Sequence, residues 1–194
     1  MKKKLSGGII ALIIVGAILL MTVMWVAISY NGLVRTDETV SEKWANVQSA
    51  YQRRADLIPN LVSTVKTYTD YEGQVLTDIT NARASVGAAK NPTELGAAGA
   101  QLDSALARLL VVVENYPNLK ANENYLSLQD ELAGTENRIK TERDIFNKAT
   151  KDFNIKVRRF PSNIIANIFG FSQKDMFAAD EGTQNAPEVG KLFE

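Results

Sequence analysis

Neither histidine nor cysteine occurs among the 194 residues. The commonest general base, the usual base of a nucleophilic triad, the nitrogen and sulfur ligands of zinc, thiolate nucleophiles and disulfides are therefore all excluded. What remains able to do chemistry is a set of carboxylates, guanidiniums and amides in two groups. Arg53, Arg54, Asp56 and Asn60 surround Pro59. Glu131, Glu136, Asn137, Arg138, Glu142, Arg143 and Asn147 lie along one later segment. Glu142 and Thr135 fall on positions that otherwise carry apolar residues. A buried carboxylate needs a partner or its pKa rises until it is neutral, and Arg54 or Arg143 is placed to supply one. Arg54, Asp56, Asn60, Glu131, Glu136, Arg138, Glu142 and Arg143 are thus read as a structural polar network that fixes the alignment of helices. A ligand or metal site between helices is the competing reading. The usual carboxylate-bundle metal motif pairs Glu with His three residues on, so only an oxygen-ligated calcium or magnesium ion stays open. A carboxylate-pair hydrolase needs a cleft that nothing in the sequence marks. No catalytic residue, metal ligand or cofactor is assigned. Tyr51, Tyr68, Tyr71, Tyr116 and Tyr125 recur at helical spacing and are read as core, with hydroxyls near the rim.

A second feature is apolar. Phe160, Ile164, Ile165, Ile168, Phe169 and Phe171 crowd into a dozen residues. They are a candidate docking surface for a neighbouring subunit or for the membrane, unless they plug the end of a bundle.

The elements that position these groups follow from periodicity. Lys2, Lys3 and Lys4 are followed by no charge until Arg35, and Gly8 to Ile28 is almost continuously apolar. About 20 such residues cross the hydrocarbon core as a helix, the one form in which a single segment satisfies its backbone there. Trp25 and Tyr30 stand near the far end, where amphipathic rings favour the interface. The stretch is longer than the apolar core of a signal peptide, and Met24-Trp25-Val26 is bulky where a cleavage site needs small residues. A retained anchor is expected, with residues 1–4 cytoplasmic, 5–30 in the membrane and the remainder outside.

From Trp44 the apolar positions run Val47, Tyr51, Ala55, Ile58, Leu61, Val65, Tyr68, Val75, Ile79, Ala82, Val86 and Ala89, mostly in steps of three and four. This is one helix of roughly 50 residues if unbroken, kinked at Pro59 and weak at Gly73. It could continue directly from the membrane helix through Asn31-Gly32. Asn91-Pro92-Thr93-Glu94 opens a second helix with a cap, a first-position proline and a capping-box spacing. Its stripe is Leu95, Ala98, Leu102, Ala105, Leu109, Val112 and Tyr116, and Pro117 ends it. A third helix carries Tyr125, Leu128, Leu132, Ile139, Phe146, Phe153 and Val157 up to Pro161. Residues 162–169 form a short fourth helix closed by Gly170. The expected fold is all-α: a transmembrane helix followed by an elongated antiparallel (up-and-down) four-helix bundle over residues 31–171, with 172–194 a C-terminal tail.

Twenty-two basic residues balance 22 acidic ones. Setting aside the three leading lysines leaves 19 basic against 22 acidic residues, so the outer domain is mildly acidic and no nucleic-acid partner is expected.

Several motifs are familiar together. They are Trp44-Ala45-Asn46-Val47, the run Arg53-Arg54-Ala55-Asp56-Leu57-Ile58-Pro59-Asn60-Leu61-Val62, Glu114-Asn115-Tyr116-Pro117-Asn118-Leu119-Lys120-Ala121-Asn122, Gly134-Thr135-Glu136-Asn137-Arg138-Ile139, and Arg159-Phe160-Pro161-Ser162-Asn163. In these the chain resembles the LemA family of bacterial membrane-anchored helical proteins. The resemblance implies one membrane helix carrying an extracytoplasmic helical bundle at the bacterial cytoplasmic membrane. It brings no enzymatic activity and no cofactor, and a relative in magnetosome-forming bacteria suggests membrane-organising work. The expectation is a non-enzymatic structural or interaction protein that forms homo-oligomers or scaffolds envelope partners. The alternative is an extracytoplasmic ligand-binding sensor or adaptor that works through a partner protein.

Overall fold

The computed structural model describes residues 7–68 and 73–178. Six α-helices account for most of them: α1 (Gly7–Tyr68), α2 (Gln74–Ala88), α3 (Pro92–Val113), α4 (Pro117–Lys120), α5 (Glu123–Arg158) and α6 (Ser162–Phe169). No strand occurs among the described residues, so the fold is all-α. The chain divides into two compact units, Met1–Ala45 with Lys148–Lys174 and Asn46–Asn147 with Asp175–Glu194.

In the first unit the apolar run of α1 is bare. Leu12, Leu20, Met21 and Val23 are each at least 68% exposed, the pattern of a surface made for lipid. Helix α1 does not break at Asn31-Gly32. The Gly32 carbonyl accepts from Thr36 Oγ1 at 3.0 Å and from Lys156 Nζ at 3.3 Å. Beyond it Leu33 and Val40 are buried, as are Phe153 and Val157 of α5 and Ile165 and Ala166 of α6. Gly170 closes α6 at φ +78°, a left-handed conformation that costs a residue without Cβ nothing. Lys174, near the start of the expected tail, is held. Asn154 donates its Nδ2 to the Lys174 carbonyl at 2.8 Å and accepts the Lys174 N–H at 2.9 Å. Lys174 Nζ also meets Asp37 at 2.5 Å.

In the second unit Val47, Tyr51, Ala55, Ile58, Leu61 and Val65 of α1 are all buried, as their spacing requires. Helix α1 runs through Pro59. Proline has no N–H for the Ala55 carbonyl one turn back, and Arg83 of α2 donates its Nε to that oxygen instead, at 3.0 Å. The weak point expected at Gly73 is a break: Gly73 is extended ahead of α2, and α1 and α2 are separate helices. After this break Leu76 is buried rather than Val75. Helix α3 packs on α2. Its start is built as expected: Asn91 Oδ1 accepts from Glu94 N–H at 2.9 Å, and Glu94 Oε2 accepts from Lys90 N–H at 2.8 Å. It ends at Val113, which is buried, while Val112 and Tyr116 of the expected stripe are half-buried and Tyr116 lies beyond the helix. Pro117 therefore begins α4 instead of terminating α3. By length and composition α3 also suffices to cross a membrane, yet it buries eight residues, Leu95, Leu102 and Leu109 among them. It is a core helix of this unit.

Candidate functional site

Arg54 is the centre of the second unit's polar chemistry. It precedes Ala55 on the buried face of α1, so its side chain must turn inward, and 7% of the residue remains exposed. A buried guanidinium needs counter-charges, and two helices supply them. Arg54 Nη1 meets Asp103 Oδ1 of α3 at 2.6 Å and pairs with Glu136 Oε2 of α5. One cation thereby ties α1, α3 and α5 together. Both carboxylates are nearly half-exposed, at 48% and 47%, so each keeps water on its outer side. Arg54 Nε is buried with no hydrogen-bond partner among the described residues.

Cavities open on both sides of this arginine. One, of about 250 Å³, has walls of Leu61, Leu106, Leu109, Tyr125 and Leu132, with Gln129, Arg54 and Glu136 as its polar groups. The other, of about 310 Å³, is lined by Tyr51, Gly99, Asp103, Ile139, Arg143 and Phe177 among others. Tyr51 fills its place because residue 99 has no side chain: a Cβ there would stand 2.8 Å from Tyr51 Cε1 and 3.0 Å from its hydroxyl. Burial pushes the Tyr51 phenol above its usual value of 10.0. Glu136 and Asp103 raise it further, against the lowering effect of Arg143 and Arg54. Burial likewise raises Tyr125. A phenol with a raised pKa is a poor base near neutrality, and an arginine does not deprotonate. The arrangement holds the Arg54 guanidinium between two carboxylates. No group of three or more candidate metal ligands is found among the described residues.

The structure brings Arg54 and Glu136 together and leaves most of the other expected network residues apart from them. Glu142 does not pair with Arg54 or Arg143 as expected; it meets Arg138 Nη2 at 3.5 Å, one turn away on the same helix. Asp56 is exposed, accepts from Gln52 Nε2 at 2.8 Å and lies 3.9 Å from Arg83 Nη2. Asn60 and Glu131 face solvent. Arg143 donates to the Ala178 carbonyl at 3.1 Å and lies over the Phe177 ring, 4.9 Å from its centroid. Asn147 brackets the same segment, donating to Phe177 O at 3.1 Å and accepting from Phe177 N–H at 2.9 Å. Phe177 is buried, so residues 177 and 178 are anchored; the tail from 179 lies outside the described residues. Asp103, Gly99, Arg83 and Phe177 were missed by sequence reasoning. Only Asp103 had a signal: it follows Leu102 on the α3 stripe as Arg54 precedes Ala55 on that of α1. Of the apolar candidates, Ile165 is buried and Phe171 half-buried against Phe153, while Phe160, Ile164, Ile168 and Phe169 are exposed.

The sequence is similar to several known bacterial proteins. The chain is similar to magnetosome protein MamQ 2 of Paramagnetospirillum magneticum, 27% identical over 174 residues that cover 76% of this chain and 64% of that protein. MamQ of Magnetospirillum gryphiswaldense is 25% identical over the same coverage. Protein LemA of Metamycoplasma hominis is 26% identical over 155 residues, 78% of this chain and 69% of its own length. The chain thus spans 64% of the length of the MamQ relatives. With its bare apolar helix and bacterial relatives, it is a bacterial membrane protein. A profile of the LemA family matches residues 43–190, well over half of the sequence, and the chain belongs to the LemA family.

Proposed function

We propose that the chain is a membrane-anchored, non-enzymatic structural or interaction protein that self-associates or scaffolds envelope partners and membrane organisation. It resides in the bacterial inner membrane, with residues 1–4 in the cytoplasm and the helices beyond α1's apolar run in the periplasm, as the three leading lysines favour. The observation that carries this reading is the use made of the polar groups. The most buried cation, Arg54, is engaged by Asp103 and Glu136 in joining helices, and its neighbour Tyr51 has a phenol shifted away from acid–base work near neutral pH. Similarity to magnetosome proteins supports an organising role. Light scattering of the full chain extracted in mild detergent tests it. Assemblies of several copies, or co-purifying envelope proteins, are expected; a strict monomer that neither self-crosslinks nor captures partners in cells overturns it.

One observation favours a second reading, a ligand-binding sensor or adaptor. The cavity of about 250 Å³ beside Arg54 combines apolar walls with a few convergent polar groups, the usual make-up of a small-molecule site. Binding there raises the melting temperature by mass action. Thermal shifts of the full chain with calcium, magnesium and cell-wall fragments separate the readings: a saturable rise abolished by Gln129→Leu supports the sensor, and its absence removes it.

A further inference from the structure

Helix α6 is apolar on two sides. Ile165 and Ala166 are buried within the first unit, while Phe160 is 75%, Ile168 68%, Phe169 51% and Ile164 45% exposed. Ile165 and Ala166 account for the packing of the helix, and Phe169 adds a ring contact with Tyr30, while Phe160 and Ile168 stay largely exposed. The position of α6 within the unit is informative. The Phe169 ring lies 4.7 Å from the Tyr30 ring, and the Phe171 ring 6.0 Å from it. Tyr30 stands two residues past the apolar run that ends at Ile28. That run, about 21 residues at 1.5 Å each, matches a hydrocarbon core of about 30 Å, which sets Tyr30 at headgroup depth. A helix touching Tyr30 lies at the same depth. The last turn of α5, where Lys156 reaches the Gly32 carbonyl, carries Arg158, and exposed Arg159 follows it.

We propose that α6, with Phe160 before it, is an interfacial membrane foot. It lies along the bilayer surface at which α1 emerges, with Phe160, Ile164, Ile168 and Phe169 in the boundary between headgroups and acyl chains. Arg158 and Arg159 face the phosphates of anionic phospholipid. Lipid is the occupant for two reasons. The exposed apolar face is continuous, through the Tyr30–Phe169 contact, with the bare surface of α1, and the flanking charge is positive, as anionic headgroups require. A second copy would have to cover a surface that begins at the bilayer. The inference rests on α1 being a membrane anchor and adds a second, peripheral contact beside it; it holds whichever side of the membrane that surface faces.

The absence of native cysteine makes the test direct. Phe160→Cys and Ile168→Cys, with Leu19→Cys inside the span and Ser41→Cys on α1 well beyond the apolar run, are each labelled with an environment-sensitive fluorophore. The full-length chain is then placed one copy per nanodisc, in phosphatidylethanolamine and phosphatidylglycerol with brominated chains. Labels at residues 160 and 168 should shift to the blue and lose most of their emission to bromine, as the label at 19 does, while the label at 41 stays unquenched and water-like. Water-like, unquenched labels at 160 and 168 beside a quenched label at 19 overturn the foot and leave the anchor standing. An unquenched label at 19 overturns both. Shielding at 160 and 168 that needs two copies per disc and shows no bromine quenching assigns the face to self-association and overturns the lipid assignment.

Discussion

The two counter-charges of Arg54 should act as substitutes for one another, and that redundancy has a measurable form. Asp103 and Glu136 are each close to half-exposed, so the water-facing side of either is already solvated. Glu136→Gln or Asp103→Asn alone leaves Arg54 with one full counter-charge, and each should cost about 0.5–1.5 kcal/mol, between an exposed pair and a charge-assisted hydrogen bond. Removing both leaves a guanidinium that is 7% exposed with no anion, and the cost rises to about 3–5 kcal/mol. The double variant therefore exceeds the sum of the singles, a coupling of about 1–3 kcal/mol. Adding Arg54→Met to the double variant removes the stranded charge and keeps an apolar stem, which should recover most of the loss, because an apolar replacement of a buried ion group is often neutral. Urea unfolding of the full chain in mild detergent, followed by far-ultraviolet circular dichroism, gives all five midpoints. Strict additivity, or a triple variant no more stable than the double, would refute the structural account of Arg54. Unchanged midpoints with loss of partner or ligand capture would make these residues a binding site instead.

Arg83→Ala should cost about 1–3 kcal/mol, because the carbonyl of Ala55, itself 3% exposed, loses the donor that replaces the missing proline N–H. In a Pro59→Ala background the backbone supplies that donor, and the same substitution should cost distinctly less; equal costs in the two backgrounds would sink the argument. Gly99→Ala should destabilise by about 1–3 kcal/mol through its 2.8 Å approach to Tyr51, a loss that Tyr51→Leu should partly relieve in the same unfolding assay. The raised pKa of Tyr51 predicts stability that is complete below the ordinary phenol value of 10.0 and falls as pH rises through the higher value of the folded state. Tyr51→Phe should flatten that alkaline decline, and an identical slope in the two proteins would count against burial as the cause.

Helix type, the membrane span and the capping of α3 and α6 were legible because each depends on neighbours within a turn or two. Asn91 caps because the free N–H groups it serves belong to the next residues, and Gly170 closes α6 for an equally local reason. The break between α1 and α2 was legible only as a weak point at Gly73. The three-and-four spacing resumes beyond Gly73 almost in register, so periodicity alone cannot tell one helix from two. Slips of a single residue, Leu76 for Val75 and Val113 for Val112, arise where a helix end lets the next segment rotate.

The candidate site divides along the same line. That Arg54 would join a polar network between helices was read from the sequence, as a partner for a carboxylate on the apolar stripe. That the anions are Asp103 and Glu136, and not Glu142, depended on how α3 and α5 are rotated against α1 within the second unit, since contacts across dozens of residues are set by packing and not by local spacing. The residue types alone determined an all-helical chain with a lipid-facing N-terminal run and no histidine or thiol chemistry. Tertiary structure alone decided which charges meet, that Arg83 would serve the carbonyl left open by Pro59, and that α6 would turn an apolar face outward beside Tyr30. The physical reason is one of range: backbone hydrogen bonding and hydrophobic periodicity act within a few residues, whereas the pairing of a buried charge answers to whatever the folded chain brings within a few ångströms.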